Sequence, residues 1–227
     1  MLKKWEQLPK QFQTPEVKEY YDILKKHRFE LFIKRVFDLF LSALLIILLS
    51  PFLLVISVLI ATDSKGGVFY RQVRITTNGK EFRIFKFRTM VANADRIGTL
   101  VTTEGDSRIT KIGSKLRDLR LDELPQLFNI FLGDMSFVGT RPEVKKYVDA
   151  YSPEMLATLL LPAGVTSEAS ICFKDEAELL KDAANADETY IKEILPKKMK
   201  YNLDAIRNFS LMGEIKTMFR TVFAVLK

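Results

Sequence analysis

The stretch "LFLSALLIILLSPFLLVISVLIA", residues 39–61, contains no charged residue and carries a proline at its centre. A helix of this length rises about 35 Å, at ~1.5 Å per residue, which covers the ~30 Å hydrocarbon core of a bilayer. Pro51 has no N–H to donate, and its ring clashes with the carbonyl oxygen four residues earlier, so a helix should bend there. The Ser50 hydroxyl is able to bond the carbonyl that Pro51 leaves free. The run therefore predicts a membrane segment broken at Ser50-Pro51.

Positively charged residues lie on both sides of this run. Nine Lys and Arg precede it, and seven more lie between Ala61 and Met90. A spanning helix usually leaves its translocated flank poor in Lys and Arg. The charges therefore favour a re-entrant hairpin, in which two helices of about twelve residues enter and leave the same leaflet. Because proline is also tolerated in transmembrane helices, a kinked spanning helix is equally compatible with the residues alone.

Composition limits the classes to which the rest of the chain can belong. The 227 residues are 48% hydrophobic, which supplies a core for one medium domain beside the membrane segment. A net charge of +7 suits anionic partners such as acidic lipids and nucleotides. The single cysteine, Cys172, and the single histidine, His27, argue against an internal disulfide and a His/Cys metal site, and favour a reducing, cytoplasmic setting. The apolar run also lacks the features of a secretory signal.

The order of patterns predicts an α+β fold, with a small and mostly helical cytoplasmic domain at residues 63–227. Residues 1–33 predict an amphipathic helical extension that runs directly into the membrane segment at residues 34–62. The stretch "GGVFYRQVRITTNGKEFRIFKFRTM", residues 66–90, alternates apolar and polar residues around Asn78-Gly79, which is the pattern of a β-hairpin. Residues 107–142 predict two helices followed by a loop. The chain then predicts a helical tail, whose last amphipathic helix fits either the core or the membrane surface.

Chemically useful residues are densest in "RDLRLDELPQLFNIFLGDMSFVGTRP", residues 117–142. Pro125 suits the first turn of a helix, which predicts that Asp122 lies at or near the N-cap. Free N–H groups and the helix dipole would keep its carboxylate ionised there, able to attack phosphorus or ligate a cation. Glu123 adds a second oxygen ligand of the kind that Mg²⁺ accepts together with phosphates. A capping Asp beside a solvated Glu is the alternative explanation.

Basic residues near these carboxylates could neutralise a diphosphate. They lie on three predicted elements that could converge: Lys86, Arg88, Arg117, Arg120 and Arg141. Scattered, solvated surface cations are the alternative. Basic and aromatic residues also alternate in "RIFKFR", but no recognised nucleic-acid motif accompanies them, so we expect no nucleic-acid partner.

In combination, these motifs resemble the signature of the bacterial sugar transferases, the monotopic phosphoglycosyl transferases that act on polyprenyl phosphate. The motifs occur in the family's order, from about Lys34 to the C-terminus: Ser50-Pro51, "VFYRQVRI", "KFRTM", "DSRITKIGSKLRDLRLDELPQLFNIFLGDMSFVGTRP" and a helical tail. The resemblance implies a re-entrant membrane helix and a catalytic domain on the cytoplasmic face of the bacterial inner membrane. It implies UDP-sugar, polyprenyl phosphate and membrane lipids as partners, and it allows a homo-oligomer.

The resemblance also implies a role for each matching residue. Asp122 would be the catalytic nucleophile that attacks the sugar-bearing phosphate, releasing UMP before the phosphosugar passes to polyprenyl phosphate. Glu123 would be a second catalytic residue and the Mg²⁺ ligand. The residues that would hold substrate are Lys86, Arg88 and Arg117 for phosphate, and Arg141 with Pro142 for uridine. A membrane-anchored nucleotide-binding or scaffold protein without turnover is the alternative.

Two positions depart from the family's usual motifs. Thr140 stands where "VGPRP" has its first proline, and Ala163 is added to the stretch that corresponds to "KPGITG". We interpret these changes as the mark of a subgroup whose sugar preference differs. The residues themselves do not name the sugar.

Overall fold

The structure is a computed structural model, and it describes residues 2–94, 106–174, 176–179 and 185–226. Its strands are β1 (Phe69–Ile75), β2 (Glu81–Phe87), β3 (Met135–Val138) and β4 (Ala163–Thr166). Its helices are α1 (Pro15–Lys26), α2 (Arg28–Asp63), α3 (Lys111–Asp118), α4 (Gln126–Leu132), α5 (Lys145–Val148), α6 (Glu168–Cys172), α7 (Glu176–Leu179), α8 (Ala186–Thr189), α9 (Leu195–Arg207) and α10 (Leu211–Leu226). A π-helical turn, Tyr190–Ile194, joins α8 to α9. The mixed helix and sheet content confirms the predicted α+β class.

The predicted β-hairpin is confirmed. Strands β1 and β2 pair antiparallel, with Phe69 opposite Phe87. Asn78 and Gly79 both adopt positive φ angles, of 57° and 76°, in the turn between them. Asn and Gly tolerate this conformation, which explains why the pair closes a hairpin at this position.

A second, parallel pair of strands was not predicted, because the sequence pattern around β3 indicates a loop. Met135 of β3 pairs with Ala163 of β4, so the added alanine lies inside a strand. Beyond β3 the two backbones approach closely: a Cβ atom on Gly164 would lie 2.1 Å from the Gly139 nitrogen. This contact requires glycine and fixes the segment that leads to Arg141.

The apolar run forms most of α2, a single helix with Pro51 in its interior. The predicted division into two helices at Ser50-Pro51 is not confirmed. The Ser50 hydroxyl donates a hydrogen bond of 2.8 Å to the carbonyl of Ile47, which is the carbonyl that the missing N–H of Pro51 leaves free. That predicted bond is confirmed, and it allows helical backbone to continue past the proline.

Helix α2 packs one face along the domain and exposes the other. The buried positions form two runs with spacings of three or four residues, one before and one after the middle of the helix: Leu31, Lys34, Asp38 and Ser42, then Leu53, Ile56 and Ile60. Within its most apolar 18 residues only 11% is buried, and Phe40, Ile47 and Leu54 are among the exposed side chains. The helix is long and apolar enough to cross a membrane by length and composition. So large an exposed apolar surface indicates membrane association.

The amino-terminal extension differs from its prediction. Two 3-10 turns, Trp5–Gln7 and Lys10–Phe12, precede α1, and His27 separates α1 from α2. Tyr20 of α1 is fully buried in a cluster that includes residues of α9, whereas Phe29 of α2 is exposed. The helical phase changes at His27, so the aromatic positions on either side of it face different surroundings. The extension is therefore part of the domain core.

Candidate active site

Asp122 lies in a 3-10 turn, Leu121–Glu123, between α3 and α4. Arg120, just before the turn, adopts a left-handed conformation with φ of 55°. The N-cap residue of α4 is Pro125. Asp122 therefore lies near the N-cap, as predicted, but does not cap the helix itself, because the extra turn separates it from the helix end. Its side chain is instead held in a buried position, with a relative exposure of 9%.

Burial, rather than a helix terminus, dominates the ionisation of Asp122. It raises the pKa of the carboxyl group, whereas the positive charges of Lys86, Arg117 and Arg141 oppose this rise. We expected the surroundings to stabilise the ionised form of Asp122, whereas the raised pKa means that they favour the neutral form. Three cations close to a poorly hydrated carboxylate form a suitable environment for a nucleophile that attacks an anionic phosphate.

Glu123 is the centre of an ion-pair cluster that joins three elements. Lys86 on β2 donates to its carboxylate at 2.9 Å, and both terminal nitrogens of Arg141 donate to it, one of them at 3.3 Å. Burial by itself would raise the pKa of Glu123, but Arg141 and Lys86 hold it well below its usual range. With 13% of its side chain exposed, Glu123 is not a solvated surface residue. The predicted convergence of Lys86, Glu123 and Arg141 is present in the structure.

Two buried donors beside this cluster have no hydrogen-bond partner in the described part of the chain. One is Nη1 of Arg117 on α3, and the other is Nε2 of Gln126, the first residue of α4. An unsatisfied buried donor costs free energy, so such groups indicate a ligand with acceptor oxygens. Gln126 was missed at the sequence level, because a single glutamine at the start of a helix carries no signal of its own.

Arg88 does not join the cluster. Its guanidinium donates to the carbonyls of Ser64 at 2.7 Å and Lys65 at 3.0 Å, at the C-terminal end of α2. Helix ends leave carbonyls unpaired, and a buried arginine satisfies several of them at once. The structure therefore places the Arg88 side chain at the end of α2, outside the cluster of Lys86, Glu123 and Arg141. Pro142 lies next to Arg141, and its carbonyl accepts from Arg74 at 3.1 Å.

A buried polar network behind Arg141 was also missed. Tyr190 donates to the Glu143 carboxylate at 2.5 Å, and Lys198 donates to Tyr190 at 3.0 Å and to Glu176 at 2.7 Å. The backbone of Glu143 is also fixed, because its carbonyl accepts from the nitrogen of Ile75 at 2.9 Å. These residues are far apart in sequence and share no local pattern. Together they hold the segment that presents Arg141.

Glu123, the predicted magnesium ligand, is bonded to Lys86 and Arg141 in the structure. In the ranges that the structure describes, no group of three or more Asp, Glu, His or Cys side chains is arranged to hold a metal. Mg²⁺ is often bound by one or two carboxylates together with phosphate oxygens. Glu123 could supply one such ligand if Lys86 or Arg141 turned toward the phosphates.

Lys86 should set the acid limit of activity. Lys86→Gln removes the cation that most lowers the pKa of Asp122, so that pKa should rise further. If Asp122 acts as a nucleophile, activity falls when its carboxylate is protonated, as pH drops through its folded-state pKa. The acid limb of kcat/KM should therefore move to higher pH in this variant. We also expect kcat/KM at neutral pH to fall about 10- to 100-fold, from the loss of one charge-assisted contact. In the control, Lys80→Gln removes the exposed Lys80–Asp134 pair and should not move the limb. An unchanged limb in Lys86→Gln would contradict this assignment.

Comparison with known proteins extends beyond the local motifs. Residues 29–227 match the family model described as "Bacterial sugar transferase". The UDP-N-acetylgalactosamine-undecaprenyl-phosphate N-acetylgalactosaminephosphotransferase of Aeromonas hydrophila is 35% identical over 176 residues, covering 76% of this chain and 38% of that protein. The UDP-glucose:undecaprenyl-phosphate glucose-1-phosphate transferase of Klebsiella pneumoniae is 36% identical over 174 residues, covering 75% and 35%. The exopolysaccharide production protein ExoY of Sinorhizobium fredii is 32% identical over 187 residues, covering 76% of each chain.

The relatives differ in length from this chain. It spans just over a third of the Aeromonas and Klebsiella proteins and about three quarters of ExoY. The matched region includes α2, the hairpin and the turn that carries Asp122. Since the family model extends from residue 29 to the end of the sequence, the chain belongs to the bacterial sugar transferase family.

Proposed function

We propose that this protein is an enzyme that transfers a sugar phosphate from a UDP-sugar to undecaprenyl phosphate. The observation that carries the proposal is the buried Asp122 beside Glu123, enclosed by Lys86, Arg117 and Arg141. The names of the Aeromonas and Klebsiella relatives support a UDP-sugar as the donor and undecaprenyl phosphate as the acceptor. The exopolysaccharide function in the name of ExoY supports a role in surface glycan assembly.

The reaction proceeds in two displacements at the sugar-bearing phosphorus. An Asp122 carboxylate oxygen forms a bond to this phosphorus, and the bond from phosphorus to the bridging oxygen breaks. UMP leaves with that oxygen and its electron pair. A phosphate oxygen of undecaprenyl phosphate then attacks the same phosphorus and displaces the Asp122 oxygen, which restores the carboxylate and gives undecaprenyl diphosphate-sugar. A covalent intermediate divides one difficult transfer into two easier ones.

The cations around Asp122 offset charge during both steps. Arg117 has a buried N–H without a partner in the described ranges, and this group is suited to a phosphate oxygen. Lys86 and Arg141 are paired with Glu123 and can share their donors with the diphosphate. A magnesium ion held by Glu123 would supply Lewis-acid stabilisation of the charge on the diphosphate.

The proposal includes a re-entrant arrangement of α2, with the site on the cytoplasmic face of the inner membrane. Near one end of the apolar run, Lys34 donates to the carbonyl of Val138 at 3.0 Å. At the other end, the Asp63 carboxylate accepts from the nitrogen of Ile112 at 3.2 Å. Val138 lies on β3 and Ile112 on α3, so both ends of the run contact the same domain. These contacts favour an arrangement with both ends on one side of the membrane over a crossing.

Cysteine labelling tests this topology. Lys26 and Lys65 lie outside the two ends of the run and are both exposed, whereas Lys34 is buried and a poor reporter. In a Cys172→Ser background, cysteines at 26 and 65 should both react from the cytoplasmic side with an impermeant maleimide. Pro51→Leu should straighten the helix, expose one of the two sites to the periplasm and reduce turnover. Periplasmic labelling of either position in the protein with Pro51 intact would contradict re-entry.

The activity itself is tested by UMP release. Purified protein with Mg²⁺ and undecaprenyl phosphate is incubated with a panel of UDP-sugars, and we expect release above background for at least one sugar. Nucleotide binding without UMP release for any sugar would favour the nucleotide-binding or scaffold alternative.

A further inference from the structure

A cavity of about 270 Å³ lies between α10 and the rest of the domain. Its walls come from the segment Val138–Thr140 after β3, from α9 and from α10, and neither Asp122 nor Glu123 lines it. At ~30 Å³ per water molecule it has room for roughly nine waters, or for one small polar group. It is therefore a separate candidate binding site.

The side-chain amide of Asn202, on the inner wall of the cavity, makes few hydrogen bonds. Asn202 lines the cavity with a relative exposure of 5%. Within the described ranges, its side chain makes one hydrogen bond, a long contact of 3.8 Å from Nδ2 to the sulfur of Met199. A buried amide can make four hydrogen bonds and loses free energy when its groups are unmet. The wall is therefore suited to a ligand with hydroxyl or ester oxygens.

Two basic side chains of α10, Lys216 and Arg220, lie at the rim of the cavity. Lys216 is exposed and forms no recorded ion pair within the described ranges, and Arg220 pairs with Glu168 at 2.6 Å while half of its side chain stays exposed. Each of the two carboxylates that line the cavity is already paired, Glu168 with Arg220 and Glu214 with Lys34, which leaves Lys216 as the cation free to meet an anion in the described ranges. Exposed apolar side chains lie beside the rim on α10: Met212, Phe219, Val222 and Phe223. A helix that combines exposed apolar side chains with basic ones is typical of the membrane interface.

We propose that this cavity binds the headgroup of an anionic bilayer phospholipid whose head carries hydroxyl groups. The phosphate lies between Lys216 and Arg220, the head hydroxyls reach Asn202, and the acyl chains follow the exposed apolar side chains of α10 into the bilayer. The bound headgroup restricts the motion of Val138–Thr140, the segment that leads to Arg141. The inference rests on membrane association and does not depend on the transferase activity.

Lipid retention tests the proposal. The protein is reconstituted in nanodiscs that contain equal amounts of phosphatidylglycerol and phosphatidylcholine, then extracted into detergent, and the retained lipid is measured by native mass spectrometry. We expect one retained phosphatidylglycerol. Lys216→Gln should lower its retention about fivefold, the value of one cation near an anionic lipid surface. Asn202→Leu should lower it similarly, and Ala205→Leu should do so by filling the cavity from an exposed helix position, where folding is not at risk.

The controls separate this site from general surface charge and from free anions. Lys200→Gln makes the same charge change on the exposed side of α9 and should retain lipid as the parent protein does. Glycerol 3-phosphate added to discs of phosphatidylcholine alone should not be retained. The proposal is overturned by equal retention in Lys216→Gln or in Ala205→Leu, by equal loss in Lys200→Gln, by equal retention of phosphatidylcholine, or by retention of free glycerol 3-phosphate.

Discussion

Asp122→Asn should lower UMP release by at least about 10⁴-fold, because the amide cannot form the covalent bond to phosphorus on which both displacements depend. The chain offers a matched control in Asp118→Asn, an exposed carboxylate at the end of α3 that should leave turnover unchanged. Turnover by Asp122→Asn within tenfold of the parent protein would rule out Asp122 as the nucleophile.

Loss of activity in Asp122→Asn should not come from unfolding. The pKa of Asp122 is raised in the folded state, so the group favours folding below its unfolded-state pKa, and this contribution is lost as pH rises through the folded-state pKa. At neutral pH the ionised carboxylate therefore works against stability, and the neutral amide should melt at the same temperature or higher. A lower melting temperature would mean that the cations around Asp122 stabilise the fold through its charge.

Glu123→Gln should destabilise the protein by ~3 kcal/mol, because it leaves the partly buried cations Lys86 and Arg141 without their anion. For a chain of this size that corresponds to a fall in melting temperature of about 6 to 12 °C. UMP release should fall as well, because Glu123 also positions both cations and is the proposed magnesium ligand.

Glu81→Gln provides the comparison for that measurement. Glu81 is an exposed residue at the start of β2, and its replacement should change stability by less than ~0.5 kcal/mol. Melting is followed in the same detergent and at the same scan rate for both variants. A Glu123→Gln protein that melts with the parent would show that the ion pairs contribute little to the fold.

Local chemistry was predictable from sequence wherever a few neighbouring residues determine the outcome. Asn78-Gly79 specifies its turn through its own backbone preferences, and Ser50 bonds the carbonyl that Pro51 frees within one helical turn. The pairing of Glu123 with Lys86 and Arg141 was foreseen only as a convergence of charges, without its geometry.

Long-range packing was not predictable in the same way. Strands β3 and β4 have four residues each and pair across a gap of more than twenty, so neither shows a periodic signal. Arg88 lies in the basic stretch "KFR" and was grouped with Lys86, because residues two apart share a face in a regular strand. Strand β2 ends at Phe87, however, and the Arg88 guanidinium bonds the carbonyl of Ser64 at the end of α2. Burial of Asp122 likewise depends on distant elements that no local pattern reveals.

The proposed mechanism requires a covalent phosphosugar on Asp122. The most direct test incubates the protein with Mg²⁺ and a UDP-sugar that it accepts, without undecaprenyl phosphate, and then analyses tryptic peptides by mass spectrometry. We predict that the peptide beginning at Leu121 gains the mass of one sugar phosphate at Asp122, with one UMP released per modified chain, and that added undecaprenyl phosphate removes the mass. An unmodified peptide, with UMP released only when the lipid is present, would contradict the account.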